Sequence, residues 1–162
     1  MKISFRRIAL FILLGYTLLL IYWMIWGFGR TTQPQYMYNL IPFTTINQFL
    51  QISNFNSNTW VINLIGNIGV FVPFGILLPL AFGGRYIKLL VTFLSGLLLL
   101  ETLQLLTRRG SFDVDDFLLN TVGFMIGYGI YVVARRWAYS RRGRPKTQHI
   151  ISRRKVDHDY QS

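Results

Sequence analysis

Four long apolar runs divide the chain, roughly Ile8 to Phe28, Trp60 to Phe82, Tyr86 to Leu106 and Phe117 to Ala134, with polar residues gathered between them. Each approaches the about 20 residues that a helix needs to cross a ~30 Å hydrocarbon layer, where an open strand or loop would leave peptide groups unpaired. The pattern predicts an all-α integral membrane protein, a bundle of about four transmembrane helices. The second run carries Gly66, Gly69, Pro73, Gly75 and Pro79, which predicts a kinked span or one built of two halves. The first run follows Lys2, Arg6 and Arg7 as a secretory signal would. It exceeds the usual ~7–15-residue apolar region of such a signal and is followed by no small-residue cleavage site, so a retained anchor is expected. Tyr22, Trp23, Trp26 and Phe28 near its end suit the headgroup level.

Composition agrees with this picture, since 52% hydrophobic and 16% aromatic residues exceed what one small soluble core needs. Charge is segregated. Of the formal +11, nine basic residues lie beyond the last apolar run: Arg135, Arg136, Arg141, Arg142, Arg144, Lys146, Arg153, Arg154 and Lys155. Adding Lys2, Arg6, Arg7, Arg85 and Lys88 places fourteen basic residues on one side, against Arg30, Arg108 and Arg109 on the other. The positive-inside rule then predicts N and C termini in the cytoplasm, with residues 29–59 and 107–116 outside. This gives an expected division into an N-terminal transmembrane anchor (1–30), a membrane domain (31–134) and a basic cytoplasmic tail (135–162), disordered beyond Gly143. Arginines after a last span answer to topology and to anionic inner-leaflet lipids, so nucleic acid is not an expected partner. There is no cysteine, and both histidines lie in the tail, so neither a disulfide framework nor a zinc site is expected.

Against this basic background, Glu101, Asp113, Asp115 and Asp116 stand within one short stretch, joined by Gln104, Arg108, Arg109 and Asn120. Ionised groups at a hydrocarbon boundary are costly and therefore point to function. At ~1.5 Å of rise per residue, Asn67 lies roughly 10 Å in from Trp60, Glu101 roughly 7 Å in from Leu106 and Asn120 roughly 6 Å in from Asp116. Asn63 and Asn67, Glu101 and Gln104, and Asp116 and Asn120 each share a helix face. Three helices thus offer polar groups at one depth, and those faces are expected to meet. The ten leucines between Leu89 and Leu106 carry Glu101 into the membrane, where it needs a partner: Arg108 or Arg109, the Asn amides, or a proton of its own.

A structural reading stands beside the functional one. Intramembrane Asn and Gln hydrogen-bond helices together, and Gly66, Gly69 and the Gly123–Gly127 pair are expected to let helix backbones approach. Asp115 or Asp116 can complement the dipole of the fourth helix. The uncharged segment from Gln35 to Gln51 reads as lying along the outer interface, as an amphipathic lid or a plain connection, with Pro42 confining any helix to the residues after it.

Four strings, in order along residues 39 to 129, resemble the VanZ-like family: Asn39-Leu-Ile-Pro42-Phe43, Asn63-Leu-Ile-Gly66-Asn67-Ile-Gly-Val-Phe71-Val-Pro73-Phe-Gly75, Glu101-Thr-Leu-Gln104, and Arg109-Gly-Ser-Phe112-Asp113-Val-Asp115-Asp116 leading to Asn120-Thr-Val-Gly123. The arginine-rich tail lies outside the pattern. The resemblance implies a small multi-pass protein of the bacterial cell membrane, in a family whose namesake is associated with low-level resistance to teicoplanin, a glycopeptide with a fatty acyl tail.

The resulting expectation is a binding protein. An outer-facing polar layer of Asn63, Asn67, Glu101, Gln104, Arg109, Asp113, Asp115, Asp116 and Asn120 holds the headgroup of a lipid-linked cell-wall precursor or a lipoglycopeptide, with Arg108 and Arg109 contacting anionic groups and Leu and Phe holding the acyl chain. Membrane lipids are the other expected partners, a homo-oligomer is an open arrangement, and no cofactor or metal is expected. The alternative is a membrane-embedded enzyme, with Glu101 as acid or base or with Asp113 and Asp116 holding a hard cation such as Mg2+. No nucleophile motif or phosphate loop accompanies those acids. A proton-coupled carrier would need several copies of so small a chain and shows no internal repeat.

Overall fold

The computed structural model describes the backbone of residues 4–50 and 59–142, and the side chains of residues 4–27, 29–47 and 65–141. The basic tail beyond Arg142 and the Asn63 side chain lie outside the described residues. Residues 1–131 form one compact unit and residues 132–162 a second.

The chain runs as α1 (Phe5–Trp26), a short 3-10 turn (Gly27–Gly29), β1 (Met37–Asn39), α2 (Thr44–Leu50), α3 (Thr59–Phe82), α4 (Tyr86–Thr107), β2 (Ser111–Asp113) and α5 (Val114–Arg142). Among the described residues, α1, α3, α4 and α5 are long and apolar enough to cross a membrane. The fold is therefore a helical bundle with four candidate spans.

Of the two forms expected for the second run, two separate halves are not what forms: α3 is a single helix through both Pro73 and Pro79. Side chains of α1 donate to carbonyls of α3, the Tyr16 hydroxyl to that of Val70 at 2.8 Å and the Arg6 Nε to that of Ala81 at 2.5 Å. Gly83 and Gly84, at φ 64° and 104°, end α3 in the left-handed region and turn the chain into α4.

Helices α3 and α5 meet backbone to backbone. A Cβ on Gly123 would overlap the Ile68 carbonyl, one on Gly127 the Val72 carbonyl, and one on Gly75 the backbone at Phe124. The small-xxx-small expectation therefore holds for Gly123 and Gly127. It does not hold for Gly66 and Gly69, where no described atom lies within 4 Å of an added Cβ. The bundle centre is aromatic: Phe93 stacks on the fully buried Phe124 with centroids 4.6 Å apart, and Phe71 and Phe74 close round Phe93 at 5.8 and 6.1 Å. Dispersion among these rings stabilises the bundle even in lipid, where burial from water adds little between helices.

Helix α5 continues past the expected end at Ala134 to Arg142, so Arg135, Arg136 and Arg141 are helical. Within the second unit the Arg141 guanidinium lies 3.6 Å from the centre of the Trp137 ring.

Candidate functional site

At one end of the bundle, where α4 finishes and α5 starts, β1 and β2 pair in parallel with Asn39 opposite Asp113. Strands were not expected in either segment. Their register carries the chain after β1 onto the first turn of α5.

Two of the four clustered acids are absorbed in this junction. The Asp115 carboxylate, 0% exposed, accepts backbone N–H bonds from Phe43 at 2.6 Å, Thr45 at 2.8 Å and Ile46 at 3.1 Å. It caps the first turn of α2 from across the fold, where the helix has no carboxylate of its own. Phe43 is held at φ 66°, a conformation bulky residues rarely adopt. Asp113 accepts from the Thr45 hydroxyl at 2.6 Å, the Asn39 amide at 3.2 Å and the Asp115 N–H at 2.8 Å. Every carboxylate oxygen of this pair is engaged.

Immediately below lies a second group with a different hydrogen-bond balance. On α5, Asp116 accepts from the Asn67 amide of α3 at 2.5 Å. One turn further along the same helix, Asn120 is 2% exposed and its Oδ1 has no partner. On α4, Glu101 is 2% exposed, lies beside the Asp113 backbone amide, and leaves its Oε2 without a partner. Asp116 and Asp113 are close enough to act on Glu101 electrostatically, as is one cation, Arg30. The structure thus brings Asn67, Glu101 and Asp116 from three helices together, with the buried Asn120 one turn along α5 from Asp116.

Gln104 and the arginines are used elsewhere. The Gln104 amide donates to the Met24 carbonyl at 3.1 Å, tying α4 to the end of α1. Arg108, in the left-handed conformation at the end of α4, donates to the Pro34 carbonyl and lies 5.9 Å from the Tyr36 ring centre. Arg109 lies at the same distance over Trp26. Their expected role as partners of the acids is corrected by this geometry: they face aromatic rings, where a guanidinium gains cation–π attraction. Sequence reasoning missed Arg30, which donates to the Arg109 carbonyl at 3.1 Å and is the cation nearest the cluster in effect. Its only signal was being one of three basic residues outside the positive-inside majority. Thr45 carried no signal at all.

Among the described residues, no set of three His, Cys, Asp or Glu is placed to hold a metal ion. Asp113 and Asp116 do not converge on a shared point for a hard cation, because the Asp113 oxygens are turned to Thr45, Asn39 and Asp115.

A cavity of about 510 Å3 opens between α1, α3 and α4. Its walls include Leu13, Phe71, Phe74, Phe93, Leu97 and Leu100. Leu100 adjoins Glu101 in the chain, and Leu97 lies one turn before it, so the apolar cavity reaches the level of the buried acid.

These features define a multi-pass helical membrane protein with a buried polar cluster near one end of its bundle. A family model described as VanZ/LLP1 matches residues 8–135, and the chain belongs to that family. It is similar to Protein VanZ of Enterococcus faecium, 31% identical over 101 residues. That match covers 60% of this chain and 54% of the relative, so the chain spans about half the length of the curated relative it matches. No solved structure matches.

Proposed function

We propose that this VanZ-family protein binds the headgroup of a lipid-linked or lipidated envelope molecule in the Asn67–Glu101–Asp116–Asn120 cluster, with an acyl chain in the adjoining cavity. The observation that carries the reading is the pair of buried acceptors, Glu101 Oε2 and Asn120 Oδ1, left without donors. An unpaired buried polar atom costs about 1–3 kcal/mol, and a ligand that donates to it recovers that cost. The neighbouring cavity supplies the apolar wall that a lipidated molecule needs and a soluble metabolite does not. With four spans and the basic residues biased as they are, the cluster faces outward and both termini face the cytoplasm. Family membership adds the expectation of a contribution to resistance against an acylated glycopeptide such as teicoplanin.

Purified protein in nanodiscs is expected to bind a lipoglycopeptide or lipid-linked precursor saturably, and Glu101→Ala to abolish that binding. Absence of saturable binding to any envelope lipid or lipoglycopeptide would end the proposal.

The enzyme alternative keeps only one of its two arrangements. Asp113 is fully hydrogen-bonded, which leaves Glu101 with Asp116 as the carboxylate pair for acid–base chemistry. Release of a modified lipid by wild type and not by Glu101→Gln is the result that would favour it.

A further inference from the structure

The chemistry of the headgroup follows from what the cluster lacks. Asp115 is saturated by three backbone N–H groups and Asp113 by Asn39, Thr45 and the Asp115 N–H. Asn67 gives one bond to Asp116. Glu101 Oε2 and Asn120 Oδ1, on side chains 2% exposed, receive nothing. The charged groups that act on Glu101 are Asp116 of α5, Asp113 of β2 and Arg30 from the segment after α1, and those that act on Asp116 are Asp113, Arg30 and Asp115. The layer thus holds four carboxyl groups and one guanidinium. Arg108 and Arg109 lie instead over Tyr36 and Trp26. No metal ligand set is formed among the described residues.

A phosphate or carboxylate seated here would add an anion to a layer already rich in them, where low polarizability strengthens the repulsion. A neutral hydroxyl would donate one bond and leave the charge excess standing. A group with several N–H donors and a positive charge satisfies both needs, as an ammonium does with three donors on one compact centre.

Resting on the headgroup reading above, we infer that the buried Glu101–Asn120 pair, with Asp116 one turn away, is a site for a primary ammonium group. Its source is either an amino phospholipid of the membrane or the amine of another lipidated molecule. In both cases the chain of the ligand lies in the cavity beside Leu97 and Leu100.

The test titrates the full chain in detergent with short-chain phosphatidylethanolamine, phosphatidylcholine and phosphatidylglycerol, and with dodecylamine, read by native mass spectrometry. Phosphatidylcholine keeps the positive charge without N–H donors, and phosphatidylglycerol keeps donors without the positive charge. Phosphatidylethanolamine or dodecylamine is expected to bind about tenfold or more tighter than either. Binding of both amines makes the ammonium sufficient, dodecylamine alone points to a source other than phospholipid, and phosphatidylethanolamine alone to the phospholipid. Glu101→Gln, which preserves shape, is expected to reduce the preference for the amine to within about twofold of phosphatidylcholine. Equal wild-type affinity for the ethanolamine and choline lipids overturns the inference, and so does Glu101→Gln that folds and keeps the preference. Saturable binding of phosphatidylglycerol that needs Glu101 would remove the ammonium and leave the headgroup site. Failure of every probe would overturn the ammonium inference, while the headgroup reading is decided by the lipoglycopeptide and precursor titration above. The wild-type series decides the matter even if a variant does not fold.

Discussion

Replacing Asp115 with alanine tests whether one carboxylate fastens the segment after β1 to the bundle. Three backbone N–H groups, of Phe43, Thr45 and Ile46, lose their acceptor together. A hydrogen bond to a charged group contributes about 1.5–3 kcal/mol when buried, and loss of a helix cap about 0.5–2 kcal/mol. Phe43 is exposed while Thr45 and Ile46 are half-buried, so water replaces part of what is removed and the three bonds do not add in full. Release of the left-handed Phe43 returns about 1 kcal/mol. The balance is a local loss of about 2–4 kcal/mol, which is about a 30- to 900-fold rise in the opening equilibrium. Amide hydrogen exchange of the protein in detergent reads this directly. Protection is expected to fall within residues 39–47 while α3, α4 and the first half of α5 keep theirs. Unchanged protection at residues 43–46 would refute the capping role, and a uniform loss across all helices would show that Asp115 supports the whole bundle instead.

Three further outcomes follow from packing. Gly127→Ala drives a Cβ into the Val72 carbonyl and is expected to cost about 1–3 kcal/mol, seen as a lowered Tm in detergent, whereas Gly69→Ala, with no described atom nearby, is expected to stay within about 1 kcal/mol of wild type. Phe124→Ala removes the ring stacked on Phe93 and is expected to destabilise near the lower end of the ~3–5 kcal/mol range, because lipid-facing helices lose contacts rather than burial from water. A double-mutant cycle of Asn67→Ala and Asp116→Ala, followed by thermal unfolding, is expected to give a coupling of about 0.6–1.7 kcal/mol, and additivity would mean that the bond adds nothing.

The spans were legible in the sequence because hydropathy over 20 residues is a strong signal and a helix satisfies its own backbone. That Asn67 lies level with the start of α5 was legible for the same reason, since rise per residue converts chain position into height. What did not show was the sorting of the acids. Asp113 and Asp116 are identical in type and three residues apart, but Asp113 points to β1 and α2 while Asp116 points to α3. Nothing local distinguishes them, because their partners come from segments between 49 and 74 residues away. The two-stranded sheet was hidden likewise, three residues on each side being too short for any periodicity to appear. The aromatic setting of Arg108 and Arg109 arose from Trp26 and Tyr36, read only as belonging to an interface.

The Asn67–Asp116 bond has a bearing on biogenesis. Asn67 emerges from the ribosome 49 residues before its partner, and the strand that holds Asn39 waits still longer for Asp113. During synthesis α3 and α4 must therefore enter the bilayer with the Asn67 amide and the Glu101 carboxyl unmatched, and the arrival of α5 supplies a partner for the amide. A nascent chain stopped after α4 would present those groups to lipid, a state that membrane quality-control proteases are suited to detect.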